Sequence, residues 1–298
     1  MLIPLKKEQF QVLKLLIEES CRMTLQDIAK KSRYSMEGIN KACQELVELG
    51  YISDGCITQL GKNALESYRV KKAVFLAAGF GSRMVPITLN TPKPLVRVHG
   101  KRLIEGLLDA CLRADIDEIY IVRGYLSEQF DQLLYQYPTI HFIDNPYYQE
   151  ANNISSALLV KDLLSNTYVL EADLLLNNPA IIEKYHYQSN FLAIKKEQTD
   201  DWCFEVEDGI ITNEKVGGVD CWQMVGISYW NAEDGLSLSK DIQKAYDLPD
   251  GKEYYWEQVP LKVFKDRYQV AVRECCDDDI LEIDTFSELK QIDPAYDV

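Results

Sequence analysis

Residues that bind zinc or carry out redox chemistry are scarce or scattered in this sequence. It contains only three histidines. Its eight cysteines are spread along the chain: Cys21, Cys43, Cys56, Cys111, Cys203, Cys221, Cys275 and Cys276. None forms a C-x-x-C pair, the spacing that many zinc sites and dithiol redox motifs use. The sequence therefore predicts scattered, reduced thiols and no zinc site.

Long apolar runs are also missing. No stretch approaches the ~20 consecutive apolar residues that a membrane-spanning helix needs. The first ten residues, MLIPLKKEQF, lack the signal-peptide order of basic start, apolar centre and small-residue cleavage site. The sequence thus predicts no membrane insertion and a cytoplasmic location.

Positive charge is in short supply, with 32 Lys and Arg against 47 Asp and Glu, and the net charge is −15. This balance argues against a general nucleic-acid surface. The deficit is uneven, because residues 1–70 hold ten basic and nine acidic residues, whereas residues 71–298 hold 22 and 38. The contrast predicts two domains, 1–69 and 70–298, with a boundary near Arg69.

The first domain shows helical periodicity followed by a hairpin signal. Apolar residues at helical spacing predict helices over residues 8–19, 24–31 and 35–49. Thr24 with Asp27 three residues later predicts the capped start of the second helix. An Asp54-Gly55 turn between two short apolar stretches then predicts a β-hairpin, and TQLGKNALESY predicts a closing helix.

This order of elements resembles a winged helix-turn-helix domain. The stretch YISDGCITQLGKNALE is similar to the wing and following helix of bacterial winged-helix regulators. In such a domain the third helix enters a DNA major groove. Here that helix, SMEGINKACQELVEL, has Lys41 as its only basic residue. DNA readout normally depends on several Arg and Lys side chains. DNA binding stays open, but the sequence slightly favours a regulatory or protein-binding module.

From Lys71 onward, strand-like runs alternate with helix-like segments. AVFLAA, EIYIVRG, IHFID and TYVLEAD predict strands, and LIEGLLDACLRA, EQFDQLLYQ and ISSALLVKDLL predict helices. This rhythm predicts an α/β fold with a Rossmann-like, mostly parallel mixed sheet flanked by helices. Ligands of such sheets bind beyond the carboxyl ends of the strands.

The stretch LAAGFGSRM, residues 76–84, follows the first of these strands and has the composition of an anion-binding loop. Gly79 and Gly81 let the backbone approach an anion closely and turn N–H groups towards it. Arg83 adds a bidentate phosphate donor. The loop lacks the third glycine of a dinucleotide-binding loop and the G-K-[ST] of a P-loop, so alone it indicates an anion site without specifying the ligand.

The residues after this loop make the pattern specific. LAAGFGSRMVPITLNTPKPLVRVHGKRLIE resembles the nucleotidyltransferase signature L-A-A-G-x-G-[ST]-R, followed by Pro, Thr and P-K-x-L. Later stretches, among them NNISSALLVKDLL, DDWCFEVEDG, YYWEQV and LEIDTFSEL, occur in the order found in CTP:phosphocholine cytidylyltransferases. Residues 71–298 thus resemble that family, which belongs to the sugar-phosphate nucleotidyltransferase superfamily, and the resemblance implies that the loop holds the triphosphate of CTP.

The resemblance implies attack by a phosphate oxygen of phosphocholine on the α-phosphorus of CTP, with Mg²⁺ bridging the phosphates. Lys93, held between two prolines, and Arg83 are then the expected catalytic cations. The expected metal ligands are Asp173, which ends the strand TYVLEAD, and Glu282 and Asp284. Alternation along a strand would place these last two on one face, although Glu282 as a solvated strand residue stays an alternative.

Nucleotide-binding residues are implied in the glycine loop, in the VRGY turn and in the NNISS stretch. They are Leu76, Ala77, Ala78, Gly79, Gly81, Ser82, Arg83, Gly124, Tyr125, Asn153 and Ser155.

The acceptor site follows from the chemistry of a quaternary ammonium, which offers no hydrogen-bond donor. Proteins recognise such a group with aromatic ring faces and a nearby carboxylate. By resemblance, Trp202 and Trp256 match the choline-type enzymes, and Tyr255 and Glu257 complete the expected site.

Several alternatives stay open at this level. The acceptor could instead be a sugar 1-phosphate or an aminoethyl phosphate or phosphonate. In a different class, the chain would be a transcription regulator that senses CTP or CDP-choline. The oligomeric state is also open, with a homodimer as one option.

Overall fold

The computed structural model describes residues 4–19 and 23–297, so Cys21 lies outside the described residues. By their internal contacts, the residues divide into two units. The small unit is Met1–Arg69 with Tyr185–Tyr187, and the large unit is Val70–Lys184 with Gln188–Val298. Each unit is described separately below.

The small unit contains the helices and the hairpin expected from its sequence. In chain order they are α1 (Lys7–Glu18), α2 (Leu25–Ser32), α3 (Met36–Glu48), β1 (Ile52–Ser53), β2 (Cys56–Ile57) and α4 (Gln59–Leu65). The Thr24 side chain accepts from the backbone N–H of Asp27, and the Asp27 carboxylate accepts from the Thr24 N–H. This reciprocal pair confirms the predicted capping box. The assignment of these elements as a winged helix stays a prediction.

The core of the small unit draws on two separated parts of the chain. Apolar side chains of α1, α2, α3 and α4 bury one another, and Tyr185 belongs to the same cluster. Tyr187 stacks on Tyr68 with ring centroids 5.7 Å apart, and its hydroxyl donates to the Leu5 carbonyl. Three residues far along the chain therefore complete this unit.

The large unit is built on a seven-stranded sheet. In chain order, helices occur between several of its strands. Its strands are β3 (Lys72–Ala77), β4 (Arg97–Val98), β5 (Lys101–Arg102), β6 (Glu118–Arg123), β7 (His141–Asp144), β8 (Thr167–Glu171), β9 (Leu174–Leu176), β10 (Asn190–Glu207), β11 (Ile210–Trp230), β12 (Ala271–Cys275) and β13 (Ile280–Glu282). Its α-helices are α5 (Leu103–Arg113), α6 (Ile154–Val160), α7 (Ala232–Tyr246) and α8 (Phe286–Ile292).

The strand order in the sheet is β10-β12-β11-β8-β3-β6-β7. β3 pairs in parallel with β6 and β8, β6 pairs in parallel with β7, and β11 runs antiparallel to β8. Outside this sheet, β13 pairs with β9 in an antiparallel ribbon. The predicted α/β fold with a mostly parallel mixed sheet is confirmed.

Alternation along the central strand divides the core into two layers. Ala73, Phe75 and Ala77 of β3 belong to one buried cluster, whereas Val74 and Leu76 belong to or pack against the other. Side chains of a strand point alternately to its two faces, so a strand buried on both faces is apolar throughout. The carboxyl end of β3 is thereby fixed at the centre of the sheet, where the glycine loop begins.

Three local predictions differ from the structure. The segment EQFDQLLYQ is not an α-helix but a 3₁₀ helix over Ser127–Tyr135. β8 ends at Glu171, so Asp173 lies beyond the strand, and β13 ends at Glu282, so Asp284 also lies beyond its strand.

Among the described helices, none combines the length and apolar character of a membrane span.

Candidate active site

The glycine loop leaves β3 at the carboxyl edge of the sheet and turns sharply at Gly81. Gly81 has φ of 67°, and a Cβ there would lie 3.0 Å from the Cβ of Lys93. Both the backbone conformation and the close contact therefore require glycine. At Gly79, by contrast, nothing lies within 4 Å of a Cβ position, so the loop backbone there faces open space that a ligand can approach.

Gly124 and Tyr125, for which nucleotide binding stays a prediction, contact the glycine loop directly. The Tyr125 N–H donates to the Ala78 carbonyl, and its ring packs edge-on against Phe80. A Cβ on Gly124 would lie 2.8 Å from the Ala78 oxygen. The VRGY turn thus holds the glycine loop in position through backbone contact.

A cavity of about 640 Å³ opens beyond this edge of the sheet. Most of the residues expected from the sequence line it. They are Leu76, Ala77, Ala78, Gly79, Gly81, Ser82, Arg83, Lys93, Asn153, Ser155, Asp173, Trp202, Tyr255, Glu257, Glu282 and Asp284. Among the described residues, the lining does not include Gly124, Tyr125 or Trp256.

Asn153 and Ser155 lie in a wall of short polar side chains at the start of α6. The Asn153 Oδ1 accepts from the Trp256 N–H at 2.8 Å. The buried Asn145 Nδ2 donates to the hydroxyls of Ser155 and Ser156, each at 3.0 Å. These bonds fix the positions of the side chains in this wall.

Three carboxylates converge on one point of the cavity. Oxygen atoms of Glu171, Asp173 and Glu282 all lie within 4.8 Å of one another. The Asp173 Oδ1 is buried and has no hydrogen-bond partner. Carboxylate oxygens are the ligands that Mg²⁺ takes from proteins, and an unpartnered buried oxygen is stabilised by a cation. The donor set therefore fits a hard divalent cation.

This cluster differs from the predicted metal set in one member. Glu171 was not predicted, although it precedes Asp173 by only two residues. Asp284, which was predicted, pairs with cations instead, because its Oδ1 accepts from Lys93 Nζ at 2.9 Å and from Arg83 Nη2 at 2.7 Å.

Lys93 lies buried between two acidic side chains. Its Nζ donates to Asp173 Oδ2 at 2.8 Å as well as to Asp284. Burial alone would lower the pKa of Lys93, but the charges and hydrogen bonds of Asp173 and Asp284 raise it above its ordinary value. Lys93 is therefore a fixed positive charge and not a proton acceptor at neutral pH.

The neighbouring glutamates have the opposite bias. Burial, followed by the negative charges of Asp173, Glu171 and Asp284, raises the pKa of Glu282 to about 9. The pKa of Glu171 is also raised well above its ordinary value, by burial and then by Asp173 and Glu257. Without a cation the Glu282 carboxyl holds a proton at neutral pH, and a bound divalent cation favours the ionised form of both glutamates.

An aromatic pair lies at another part of the cavity. The Trp202 and Tyr255 rings meet edge to face with centroids 5.7 Å apart, and Asp201 lines the cavity beside them. These side chains offer ring faces and a carboxylate in one place, which is the environment that an organic cation prefers.

Trp256, expected in the acceptor site, is a core residue with 4% of its surface exposed. It stacks on Phe191 at 5.9 Å and packs edge-on against Trp230 at 6.0 Å. The adjacent Trp-Glu pair in the sequence could not show that the two side chains have different surroundings. Only Glu257 of this pair lines the main cavity.

A recess of about 10 Å³ adjoins the cavity between two acidic residues, Glu171 and Glu257, and is also lined by Met224, Gly226 and Trp256. The Glu257 Oε2 is buried and has no hydrogen-bond partner. Burial, followed by the charge of Glu214, raises the pKa of Glu257 to about 8. The volume is at the lower limit for one water molecule, so the recess accepts only a group of about that size.

Comparisons with known proteins agree with this geometry. Residues 72–207 match the family described as nucleotidyl transferase. The chain is 34% identical to a 2-aminoethylphosphonate cytidylyltransferase of Lancefieldella rimae, over 75% of this chain and 92% of that protein. It is 33% identical to a choline-phosphate cytidylyltransferase of Streptococcus pneumoniae, over 74% and 96%. A solved structure of a CTP:phosphocholine cytidylyltransferase from Streptococcus pneumoniae superimposes with a TM-score of 0.68 and 31% identity, over 76% and 99%.

Proposed function

This chain belongs to the nucleotidyltransferase family, and on that premise we propose that it transfers CMP from CTP to phosphocholine. The products are CDP-choline and pyrophosphate. One observation supports this best: a single cavity brings together the glycine loop, two cations, a carboxylate cluster and an aromatic pair with an acid. The glycine loop and the two basic side chains match a triphosphate, and the carboxylate cluster matches a metal ion. The aromatic pair with its acid matches a quaternary ammonium.

In this reaction a phosphate oxygen of the acceptor attacks the α-phosphorus of CTP and pyrophosphate leaves. Such a transfer depends on alignment and charge neutralisation, with no covalent enzyme intermediate. The glycine loop and Arg83 hold the triphosphate, and Lys93 neutralises charge at the reacting phosphate. Glu171, Asp173 and Glu282 would hold Mg²⁺, which supplies further neutralisation of the phosphates. Trp202 and Tyr255 orient the acceptor by its cationic end.

The experiment that tests this proposal is pyrophosphate release with a panel of nucleotides and acceptors. We expect CTP with phosphocholine and Mg²⁺ to give the highest kcat/KM. Replacement of CTP by UTP, ATP or dTTP should reduce it strongly. A higher value with a sugar 1-phosphate would refute the acceptor while leaving the nucleotidyl transfer intact.

A second acceptor, 2-aminoethylphosphonate, is favoured by the recess between Glu171 and Glu257. Its volume suits a primary ammonium, which donates hydrogen bonds to carboxylates, and not three methyl groups. Glu257→Gln separates the two acceptors. It should weaken a primary ammonium held in the recess strongly and a trimethylammonium held by Trp202 and Tyr255 only slightly.

For residues 1–69 we propose a winged-helix module that regulates the enzyme without reading a DNA sequence. The exposed charged side chains of α3 include two acidic residues, Glu37 and Glu48, and one basic residue, Lys41. Gel shifts with promoter DNA, at low and at physiological salt, test this. Retention of a sequence-specific complex at physiological salt would refute it, because non-specific electrostatic binding is lost there.

A further inference from the structure

Both cations of the active site are held by the protein's own carboxylates. Lys93 Nζ donates to Asp173 Oδ2 at 2.8 Å and to Asp284 Oδ1 at 2.9 Å. Arg83 Nη2 donates to the same Asp284 oxygen at 2.7 Å. Two positive and two negative side chains therefore form one network, in which Asp173 Oδ1 stays without a partner.

In this network the basic side chains oppose the binding of a divalent cation, and the carboxylates oppose the binding of a triphosphate. A divalent cation that binds the unpartnered Oδ1 of Asp173 comes close to the Lys93 ammonium, which lies 2.8 Å from Oδ2 of the same carboxylate, and like charges at such distances repel strongly. A triphosphate approaching Arg83 or Lys93 meets cations whose hydrogen bonds already go to carboxylates. Metal alone is therefore repelled by the Lys93 ammonium, and nucleotide alone must break ion pairs and leave Asp173 and Asp284 without their cations.

The two ligands together can exchange partners. The phosphates would take the hydrogen bonds of Arg83 and Lys93, and Asp173, released by Lys93, would then be fully available to the metal. Gly81 lies beside the Lys93 stem, because a Cβ at Gly81 would be 3.0 Å from the Lys93 Cβ. The loop proposed to hold the triphosphate and the lysine are therefore neighbours.

We propose that Lys93, assisted by Arg83, acts as an internal counter-ion of Asp173 and Asp284 that opposes metal binding until nucleotide arrives. This inference rests on the proposed function, because it takes a nucleoside triphosphate and a divalent cation as the ligands. Metal and nucleotide then bind synergistically, and each raises the affinity of the other by the same factor. The lysine thus prevents tight binding of metal to the enzyme alone.

The direct test is calorimetric titration of the full chain with Mn²⁺ alone, without nucleotide or acceptor. We expect Lys93→Met to bind Mn²⁺ about tenfold more tightly than the wild type, because the competing ammonium is gone. Lys93→Arg, which keeps the charge, should stay weak. Arg97→Met is the matched control, because this exposed side chain bonds the Gly100 carbonyl away from the site, and it should leave Mn²⁺ affinity unchanged.

Arg83→Met is a second test variant for the case that Lys93→Met does not fold. The Arg83 side chain is 68% exposed, so its replacement removes little packing. It should tighten Mn²⁺ binding about twofold to threefold. Unchanged or weaker Mn²⁺ affinity in both folded Lys93→Met and Arg83→Met would overturn the proposal.

A second measurement determines the coupling. CTP affinity of the wild type should rise on addition of Mn²⁺ by the factor by which CTP raises Mn²⁺ affinity, and Lys93→Met should reduce that factor. A coupling factor equal to that of the wild type would contradict the counter-ion role. If CTP fails to bind any variant, the proposed function fails, and the titration with Mn²⁺ alone still decides this inference.

Discussion

Glu171 packs against the bare Cα of Gly226, so closely that a Cβ there would lie 2.7 Å from the Glu171 Cγ and Cδ. The glycine therefore determines where a carboxylate of the candidate metal cluster lies. This is a packing relationship between neighbouring strands, since β8 and β11 pair antiparallel at this place, with Leu170 opposite Ile227.

Gly226→Ala should accordingly reduce turnover by displacing Glu171 from Asp173 and Glu282. We expect kcat to fall about 100-fold, since a displacement of about 1 Å in a catalytic constellation has that effect. Steady-state kinetics with CTP and phosphocholine measure it. Gly106→Ala in α5 is the control, because its new Cβ would meet Leu176 at 3.6 Å, an ordinary contact. Equal rates for both variants would remove Glu171 from the site.

The carboxylates themselves give a second prediction. Asp173→Ala and Asp284→Ala should each nearly abolish pyrophosphate release, the first by removing a metal ligand and the second by removing the carboxylate that positions Lys93 and Arg83. Circular dichroism should show unchanged secondary structure. Glu128→Gln, an exposed carboxylate on the Ser127–Tyr135 helix, should keep full activity. Turnover at the wild-type rate in either alanine variant would refute its assignment.

The sequence predicted those parts of the site that depend on local pattern. The glycine loop, Lys93 and Asp173 follow apolar strands or lie in a continuous signature, and parallel strands bring their carboxyl ends to one edge. Glu171 was missed because it is a charged residue at the end of an apolar strand. The sequence alone does not distinguish a metal-binding carboxylate there from a buried carboxylate without that role. Its role depends on Gly226, 55 positions away and visible only in the folded sheet.

The role of Asp284 was also beyond local pattern. Alternation along a strand predicted that it would share a face with Glu282, but β13 ends at Glu282. The chain turns there because Thr285 caps α8, with its hydroxyl accepting from the Glu288 N–H. That cap carries Asp284 away from the strand and towards Lys93, which is a tertiary contact that neither motif alone contains.

Trp202 and Trp256 provide a third prediction, with different outcomes for two residues that the sequence treated alike. Trp202→Ala should raise the KM for the acceptor about fivefold to thirtyfold and leave the KM for CTP unchanged, because one ring face is lost. Trp256→Ala should instead lower the free energy of unfolding by about 3–5 kcal/mol, because a buried indole leaves a cavity. Acceptor kinetics and urea unfolding measure the two effects. An acceptor-specific KM change in Trp256→Ala without destabilisation would contradict its placement in the core.

The composition of the small unit gives a fourth prediction. Residues 70–298 expressed alone would retain Tyr185 and Tyr187 but lose Tyr68 and Leu5, which Tyr187 contacts within that unit. We expect this fragment to keep catalysis but to aggregate, because buried tyrosine rings become exposed. The same fragment with Tyr185→Ser and Tyr187→Ser should be more soluble by light scattering. Loss of catalysis in both fragments would show that residues 1–69 are needed for the fold of the remainder.

The buried Glu257 carboxyl predicts how stability depends on pH. Its folded-state pKa is raised to about 8 by burial and by Glu214, whereas an unfolded glutamate titrates near its ordinary value of about 4.3. Between these values the folded state keeps a proton that the unfolded state releases. The free energy of unfolding of the metal-free protein should therefore fall as pH rises from about 4.3 to about 8, and this contribution should level off above that range.

Glu257→Gln removes that contribution, because an amide cannot ionise. We expect the variant to match the wild type near pH 5 and to exceed its free energy of unfolding by at least about 1 kcal/mol at pH 8.5, since one pKa unit corresponds to about 1.4 kcal/mol. Urea unfolding in the presence of a chelator, from pH 5 to pH 9, measures the difference. Glu253→Gln, an exposed neighbour, should follow the wild-type curve throughout. Parallel curves for Glu257→Gln and the wild type would mean that Glu257 is ionised in the folded protein, so that a cation or a donor already compensates its charge.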